Sequence, residues 1–204
     1  MGSEFLTYLR LGVRHILDPA ATDHLLFISA LAIPYVWKEW RNLLWLVTAF
    51  TVGHSITLAL ATLDLVRIDP KLVEVLIPIT ILVTSLLTVW WNRSPSASVA
   101  RLDQGRGGTR ARPWISYGIT LGFGLIHGLG FSAFLRALLG EEESLFVPLL
   151  SFNIGLEVAQ IVVVSAVLLT SALVADRLLD RRAWQLVVSG ATVAFAIDMI
   201  VTRV

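Results

Sequence analysis

Long stretches of apolar residues recur along the chain, separated by short polar segments. Six such stretches can be drawn, at 24–37, 42–62, 71–92, 114–139, 145–174 and 183–202. A helix of about 17 to 25 residues crosses a hydrocarbon core of about 30 Å, so most of these stretches are long enough to span a membrane. Because they are continuously apolar and do not alternate, they are not transmembrane β-strands. The pattern predicts an all-α polytopic membrane protein with about six transmembrane helices.

The first of these stretches is short and is interrupted by Pro34, so we also expect a short, half-buried helix before it, over residues 5–17.

The composition of the chain agrees with a membrane location. Hydrophobic residues make up 56% of the chain and charged residues 15%, against about 25% charged residues in soluble domains. The lipid bilayer is therefore the expected surroundings of this protein.

Lysine and arginine are distributed unevenly between the two sides of the predicted bundle. Ten of the sixteen fall on one side: Lys38, Arg41, Arg93, Arg101, Arg106, Arg110, Arg112, Arg177, Arg181 and Arg182. Because positively charged loops stay in the cytoplasm, this side is predicted to be cytoplasmic, with both chain termini extracytoplasmic. Segment 93–113 is then a flexible cytoplasmic linker between two groups of three helices, within a single transmembrane domain of residues 1–204. Its arginines are interpreted as a topology signal, and no nucleic-acid partner is expected.

Sulfur ligands are nearly absent from the chain. It has no cysteine, and Met1 and Met199 are its only methionines. Disulfides, thiolate sites and sites for soft ions such as copper(I) are therefore not expected.

Histidine and carboxylate side chains are the ligands that remain, and they are concentrated at the predicted helices. All four histidines lie within or beside a span: His15, His24, His54 and His127. At about 1.5 Å per residue, His54 lies roughly 12 Å from the outer end of its helix, and His127 lies near the middle of its own. Segment 14–27, which reads RHILDPAATDHLLF, adds Asp18 and Asp23. Asp18 also precedes a proline and can shape a turn.

Polar residues also share faces of the predicted helices. Two stripes result: Asn153, Glu157 and Gln160 on one helix, and Thr51, His54 and Ser55 on another. An ionised Glu157 facing lipid would cost several kcal/mol, so it is expected to face the bundle and to find a partner such as a cation. Gly124 and Gly128 flank His127 and let a neighbouring helix or a ligand approach closely.

Imidazole and carboxylate together suit a divalent cation such as nickel, cobalt or zinc. We therefore predict a metal site in the outer half of the bundle with these candidate ligands: His15, Asp18, Asp23, His24, His54, His127 and Glu157. The supporting positions are Thr51, Ser55, Gly124, Gly128, Asn153 and Gln160. For Asn153 and Gln160 the alternative is a hydrogen bond between helices. Glu74, in a first helical turn, and Asp198, near a helix end, are interpreted as structural.

Four segments of the chain resemble the HupE/UreJ family of membrane proteins: RHILDPAATDHLLF, TAFTVGHSITLALA, GLIHGLGFS and FNIGLEVAQ. The first two are also similar to the signatures of nickel/cobalt permeases, in which an Arg-His is followed by an Asp-His and a later helix carries Gly-His-Ser. Members of the HupE/UreJ family accompany hydrogenase and urease gene clusters and are regarded as nickel transporters. The resemblance covers nearly the whole chain and implies a multi-pass protein of the bacterial cytoplasmic (inner) membrane.

These observations favour transport of a divalent transition-metal ion, nickel or cobalt above all, over an enzymatic role. Cations from outside would be captured by segment 14–27 and passed to the ligands of the later helices. Because a protonated imidazole cannot bind metal, capture should weaken as the pH falls toward about 6.5. Transport by a single copy or by an oligomer is compatible with the sequence.

Two other functions use the same residues. An intramembrane zinc hydrolase would take Glu157 or Asp23 as general base and Ser55 as a hydrogen-bond donor. A haem protein would take His54 and His127 as axial ligands. The carboxylates would have no role in the haem protein, whereas the ligand set alone does not separate the hydrolase from the transporter.

Overall fold

The computed structural model describes residues 2–19, 22–93, 113–139 and 144–204. These residues contain no strand and form seven α-helices: α1 Gly2–Leu17, α2 Thr22–Ala32, α3 Trp40–Thr62, α4 Pro70–Arg93, α5 Pro113–Leu139, α6 Phe146–Arg177 and α7 Arg181–Arg203. A 3₁₀ helix, Trp37–Glu39, leads into α3. The all-α polytopic fold is thus confirmed. The linker predicted at 93–113 lies, apart from its two end residues, outside the described residues.

Five helical segments of the described chain are long and apolar enough to cross a membrane: Trp37–Thr62, Pro70–Trp90, Trp114–Leu139, Phe146–Ala175 and Arg181–Arg203. They agree with the last five stretches drawn from the sequence. The first stretch, 24–37, forms a shorter element. Helix α2 has 11 residues, which reach only about 16 Å, and it ends at Ala32 because Pro34 disfavours helical backbone before it. Helix α1 precedes it, as expected for 5–17.

Helix α7 contacts the short helix α2 near its start and the chain just beyond its end. At the start of α7, Arg181 Nη2 donates to the Pro34 carbonyl at 2.9 Å. At its end, Arg203 donates to both carboxylate oxygens of Asp23 at 3.2 Å. We name the two ends of the bundle after these arginines, the Arg181 end and the Arg203 end. The pairs fix the depth of α2 within the bundle although α2 is too short to span it.

Helices α3 and α5 pack closely because two glycines of α5 face the backbone of α3. A Cβ at Gly124 would overlap the carbonyl oxygen of Phe50, and a Cβ at Gly128 would overlap that of His54. Only glycine permits such an approach of two helices. The close approach predicted for both glycines is therefore made by α3, and it brings His54 near His127.

Helices α1 and α6 use the same device. A Cβ at Gly12 would overlap the carbonyl oxygen of Phe152, and a Cβ at Gly155 would overlap that of Leu9. The contact brings the His15 ring to 5.8 Å from the Phe152 ring, measured between centroids. Helix α1 thereby adds a histidine to the interior of the bundle.

The turn after α3 is held by a group of charged residues at the Arg203 end. Asp64 has a φ of 63°, and its carboxylate pairs with Arg67 and Arg136. Arg136 Nη1 lies 2.7 Å from Asp64 Oδ1, and its Nη2 donates to the Ala61 carbonyl at 2.6 Å. The hydrogen bond from Arg67, together with the charges of both arginines, holds the pKa of the Asp64 carboxyl below its ordinary value. These contacts join the ends of α3 and α5.

Candidate metal centre

The four histidines come together in the interior, although four different helices carry them. Their closest ring centroids are 4.6 Å apart for His15 and His24, 5.1 Å for His24 and His127, and 5.7 Å for His54 with both His15 and His24. We call these four residues the histidine cluster. Two imidazoles bound to one metal ion at about 2.1 Å have centroids roughly 5 Å apart. The spacing of the rings therefore suits shared ligation, with His24 at the centre.

Most ring nitrogens of the histidine cluster have no hydrogen-bond partner among the described residues. They are His15 Nε2, both nitrogens of His24, both nitrogens of His54, and His127 Nδ1. His54 is 0% exposed and His127 is 1% exposed, so these nitrogens are shielded from solvent. Buried polar atoms without partners are costly and uncommon. Six such nitrogens within one cluster of rings are typical of a site that binds a ligand.

The side chains do not form a finished metal shell. No group of three or more His, Cys, Asp or Glu among the described residues has its donor atoms placed to hold an ion. The ring planes are tilted by 59° to 76° within the cluster. Ligation therefore requires rotation of the rings, which the 4.6 to 5.7 Å centroid spacings allow.

Thr80 of α4 fixes the orientation of the His127 ring. Its hydroxyl lies 2.7 Å from the Ile77 carbonyl oxygen and 2.8 Å from His127 Nε2. A carbonyl oxygen only accepts, so both contacts are hydrogen bonds at once only if Thr80 donates to Ile77 and accepts from Nε2–H. His127 then carries its proton on Nε2, and the lone pair of Nδ1, which has no partner among the described residues, is left for a ligand. Such an outer hydrogen bond is a common feature of metal-binding histidines.

Aromatic side chains form two walls of the histidine cluster. Phe27 stacks on Phe50 with centroids 4.7 Å apart, and Phe131 stacks on Phe152 at 5.3 Å. The Phe131 ring also lies 4.0 Å from the His15 ring. Apolar walls lower the local dielectric, which strengthens the interaction of any bound cation with its ligands.

A cavity of about 660 Å³ leads from the histidine cluster toward the Arg203 end. Besides His15, His24 and His127, its ionisable lining residues are Arg14, Asp18, Asp23, Glu74 and Arg203. Arg14 and Asp18 are exposed, so the cavity reaches the surface of the protein. The structure thus brings the two aspartates of segment 14–27 into one cavity with three of the histidines.

Three ionisable residues of this cavity were not predicted to belong to the site: Arg14, Glu74 and Arg203. Pro78 lies inside α4 and has no N–H to donate to the Glu74 carbonyl four residues earlier. Arg203 Nη1 donates to that carbonyl oxygen at 3.2 Å, and Arg203 also pairs with Asp23. The sequence gives one indication that Arg203 belongs to the site. Arg203 lies in the last turn of α7, and this helix ends on the same side of the bundle as Asp23.

Glu157 and most of the predicted supporting residues lie in a different place, along the contact of α3 with α6. Three α3 hydroxyls donate to α6 side chains at 2.6 Å: Thr48 to Glu157, Thr51 to Gln160, and Ser55 to Asn153. We call these six residues the polar seam. None of them lines the cavity described above. Asn153 and Gln160 therefore make the hydrogen bonds between helices that were their alternative role, and the structure does not bring Glu157 together with the histidine cluster.

Five membrane-length helices around a cluster of buried histidines define a polytopic membrane protein with an interior polar site. The family model described as HupE / UreJ protein matches residues 1–203. The chain belongs to the HupE/UreJ family, as its four motifs predicted. This family is associated with nickel or cobalt transport or with urease maturation. A search of curated proteins finds no match, and neither does a search of solved structures.

Proposed function

We propose that the protein transports a divalent transition-metal ion, nickel or cobalt, across the cytoplasmic membrane by way of the histidine cluster. One observation carries this proposal. Four imidazoles from four helices converge in the interior, and six of their nitrogens have no partner among the described residues. Neutral imidazole is a good ligand for nickel, cobalt and zinc. The association of the HupE/UreJ family with nickel or cobalt favours these two ions.

The cavity supplies the route by which an ion reaches the cluster. A hydrated cation is attracted by the carboxylates of Asp18, Asp23 and Glu74, which line the cavity. It then exchanges water molecules for the imidazoles of His15 and His24 and moves on to the buried His54 and His127. Because metal binding needs unprotonated imidazole, binding at the cluster is linked to proton release and weakens in acid.

The membrane potential, negative inside, favours inward movement of a cation. If the Arg181 end is cytoplasmic, as the distribution of arginines indicates, a divalent ion enters from the Arg203 end and moves inward. Each charge that crosses the membrane gains about 2.3 kcal/mol per 100 mV, and a divalent ion gains about twice as much. This free energy has to offset the cost of releasing the ion from the imidazoles. The cluster should therefore bind the ion with moderate affinity.

The positions of the polar seam argue against the hydrolase alternative. Its general base or its hydrogen-bond donor would have to stand beside the metal, yet Glu157 is bonded to Thr48 and Ser55 to Asn153. The remaining candidate base, Asp23, is paired with Arg203. These arrangements leave the histidine cluster with ligands and no positioned base, which suits passage of an ion better than hydrolysis.

The packing of the rings does not suit haem either. A haem between His54 and His127 needs a wide, flat space between the two rings. His24 lies 5.7 Å from the His54 ring and 5.1 Å from the His127 ring, and Phe50 also contacts both rings. That space is filled by protein side chains.

The proposal is tested by nickel titration of the purified protein and by nickel uptake into proteoliposomes. The variants His24→Ala and His54→Ala should lose at least about tenfold in affinity, and uptake should fall with it. Asp23→Asn should weaken binding less, and Asp198→Asn serves as its control because Asp198 is an exposed carboxylate outside the cavity. Wild-type affinity and uptake in both histidine variants would contradict the proposal.

A further inference from the structure

A second, smaller cavity lies between the histidine cluster and the Arg181 end. Its volume is about 60 Å³, and its lining residues come mainly from α2, α4 and α5, which also contribute to the lining of the large cavity. Five of its twelve lining residues carry a hydroxyl, and the other seven are apolar. The hydroxyl residues are Tyr35, Thr84, Thr88, Ser116 and Thr120. This volume holds one or two water molecules. The two cavities are therefore placed on either side of the cluster along the same helices.

A stripe of threonines on α4 connects the cluster to the second cavity. Thr80, Thr84 and Thr88 follow one another at intervals of four residues and are 2%, 8% and 6% exposed. Thr80 contacts His127 Nε2, and the other two line the second cavity. The stripe covers eight residues, or about 12 Å along the helix axis. It extends the polar route from the centre of the bundle toward the Arg181 end.

The hydrogen bonds of these threonines leave their oxygens as acceptors. Thr80 donates to the Ile77 carbonyl, Thr84 to that of Thr80, and Thr88 to that of Thr84. Each hydroxyl has a single hydrogen, so its lone pairs remain for another partner. In Thr84 and Thr88 these lone pairs are available to the second cavity. Acceptor oxygens are what a partly dehydrated cation needs.

The opposite face of α4 has a different character. Between residues 75 and 90 the exposed side chains of α4 are Ile79, Val83, Leu86 and Trp90, and all four are apolar. The threonines therefore do not reflect a generally polar helix, because they are confined to the face that borders the cluster and the second cavity. Oxygen ligands hold nickel or cobalt less firmly than imidazole does, so ions can leave such a path easily.

We propose that Thr80, Thr84 and Thr88, with Thr120 of α5 opposite, form the exit path of the ion from the histidine cluster to the Arg181 end. The stacked rings of Phe27 and Phe50, which also contact His127, close this path at the cluster. The proposal rests on the transport function and adds the inner half of the route.

The first test measures water access, and it needs no transport. The chain has no cysteine, so each single-cysteine variant carries one thiol. A thiol reacts with a charged methanethiosulfonate reagent as the thiolate, which requires water around it. In lipid nanodiscs, Thr84→Cys and Thr88→Cys should react at least about tenfold faster than Leu86→Cys, whose position is 49% exposed on the lipid-facing side. Equal rates at the three positions would overturn the exit path.

The second test separates passage from binding. Replacing Thr84 and Thr88 by valine removes two oxygens and keeps the side-chain shape. The double variant should bind nickel as the wild type does but take it up about tenfold more slowly. Ser85→Ala is the matched control, since Ser85 is buried on the same helix and its hydroxyl contacts Thr192 instead.

The outcomes distinguish the exit path from the transport function on which it rests. Wild-type uptake by the double valine variant would overturn the exit path and leave the function intact. A wild-type protein that neither binds nor takes up nickel would overturn the function itself. Slow uptake with unchanged nickel binding in the double valine variant, together with wild-type uptake in Ser85→Ala, supports both the exit path and the transport function.

Discussion

Replacing Gly128 by alanine tests whether the contact between α3 and α5 holds the histidine cluster together. The added Cβ would overlap the His54 carbonyl oxygen and crowd the Thr57 hydroxyl. Carbon and oxygen need roughly 3.5 Å between them, so the two helices would have to separate by roughly 1 Å. Overpacking of this kind costs about 1–3 kcal/mol, and the better helix propensity of alanine returns up to about 1 kcal/mol. We expect a net loss of about 1–2 kcal/mol.

The separation should also impair the site, because His54 and His127 lie on the two helices that move apart. Nickel affinity is expected to fall about tenfold, since a binding site loosened by about 1 Å loses much of its preorganisation. Unfolding in detergent micelles measures the stability, and isothermal titration measures the affinity. The control is Gly122→Ala on the same helix, where an added Cβ meets nothing within 4 Å and should slightly stabilise the protein. Equal stability and affinity in the two variants would refute the argument.

Three further predictions concern single side chains. Thr80→Val should lower nickel affinity about tenfold because His127 loses the acceptor that sets its tautomer, whereas Thr80→Ser should retain affinity; a titration that finds the two equal would count against this role. Arg203→Gln should raise nickel affinity severalfold, since it releases the charge of Asp23 in the cavity, and an unchanged affinity would show that this carboxylate does not attract the ion. Asp64→Asn should lower the melting temperature at pH 7. Its carboxyl has a lowered pKa in the folded state, so its contribution is present above the ordinary aspartate pKa of about 3.9 and is lost as the pH falls through the folded-state value. Melting curves of both proteins should therefore converge in acid, and a constant difference would contradict this.

The fold was largely predictable because each membrane-length helix carries its own hydrophobic signal. The five long spans depend on local composition, and the structure reproduces them. Helix α2 was harder to predict, since its apolar stretch continues past Pro34 while its helix ends at Ala32. In that segment the backbone restriction imposed by proline determines the length, and hydrophobicity alone does not reveal it.

The candidate site was predictable in part for a related reason. Counting residues along each predicted helix put the four histidines at similar depths in the membrane. The structure shows that their rings come together in one cluster. Which side chains pair across helices depends on helix rotation and neighbours, which the periodicity of one helix does not specify. Glu157 illustrates this: its stripe was recognised, but its partner, Thr48, lies on α3 within the polar seam. The involvement of Arg203 likewise depends on how α7 packs against α2 and α4.

X-ray absorption spectroscopy of the nickel-loaded protein tests the central claim most directly, because it counts the imidazoles around the ion. If the histidine cluster binds the metal, the fine structure should show the multiple scattering of at least three histidine rings, and it should lose part of this signal in His24→Ala. A shell of oxygen atoms alone, identical in wild type and variant, would contradict the account.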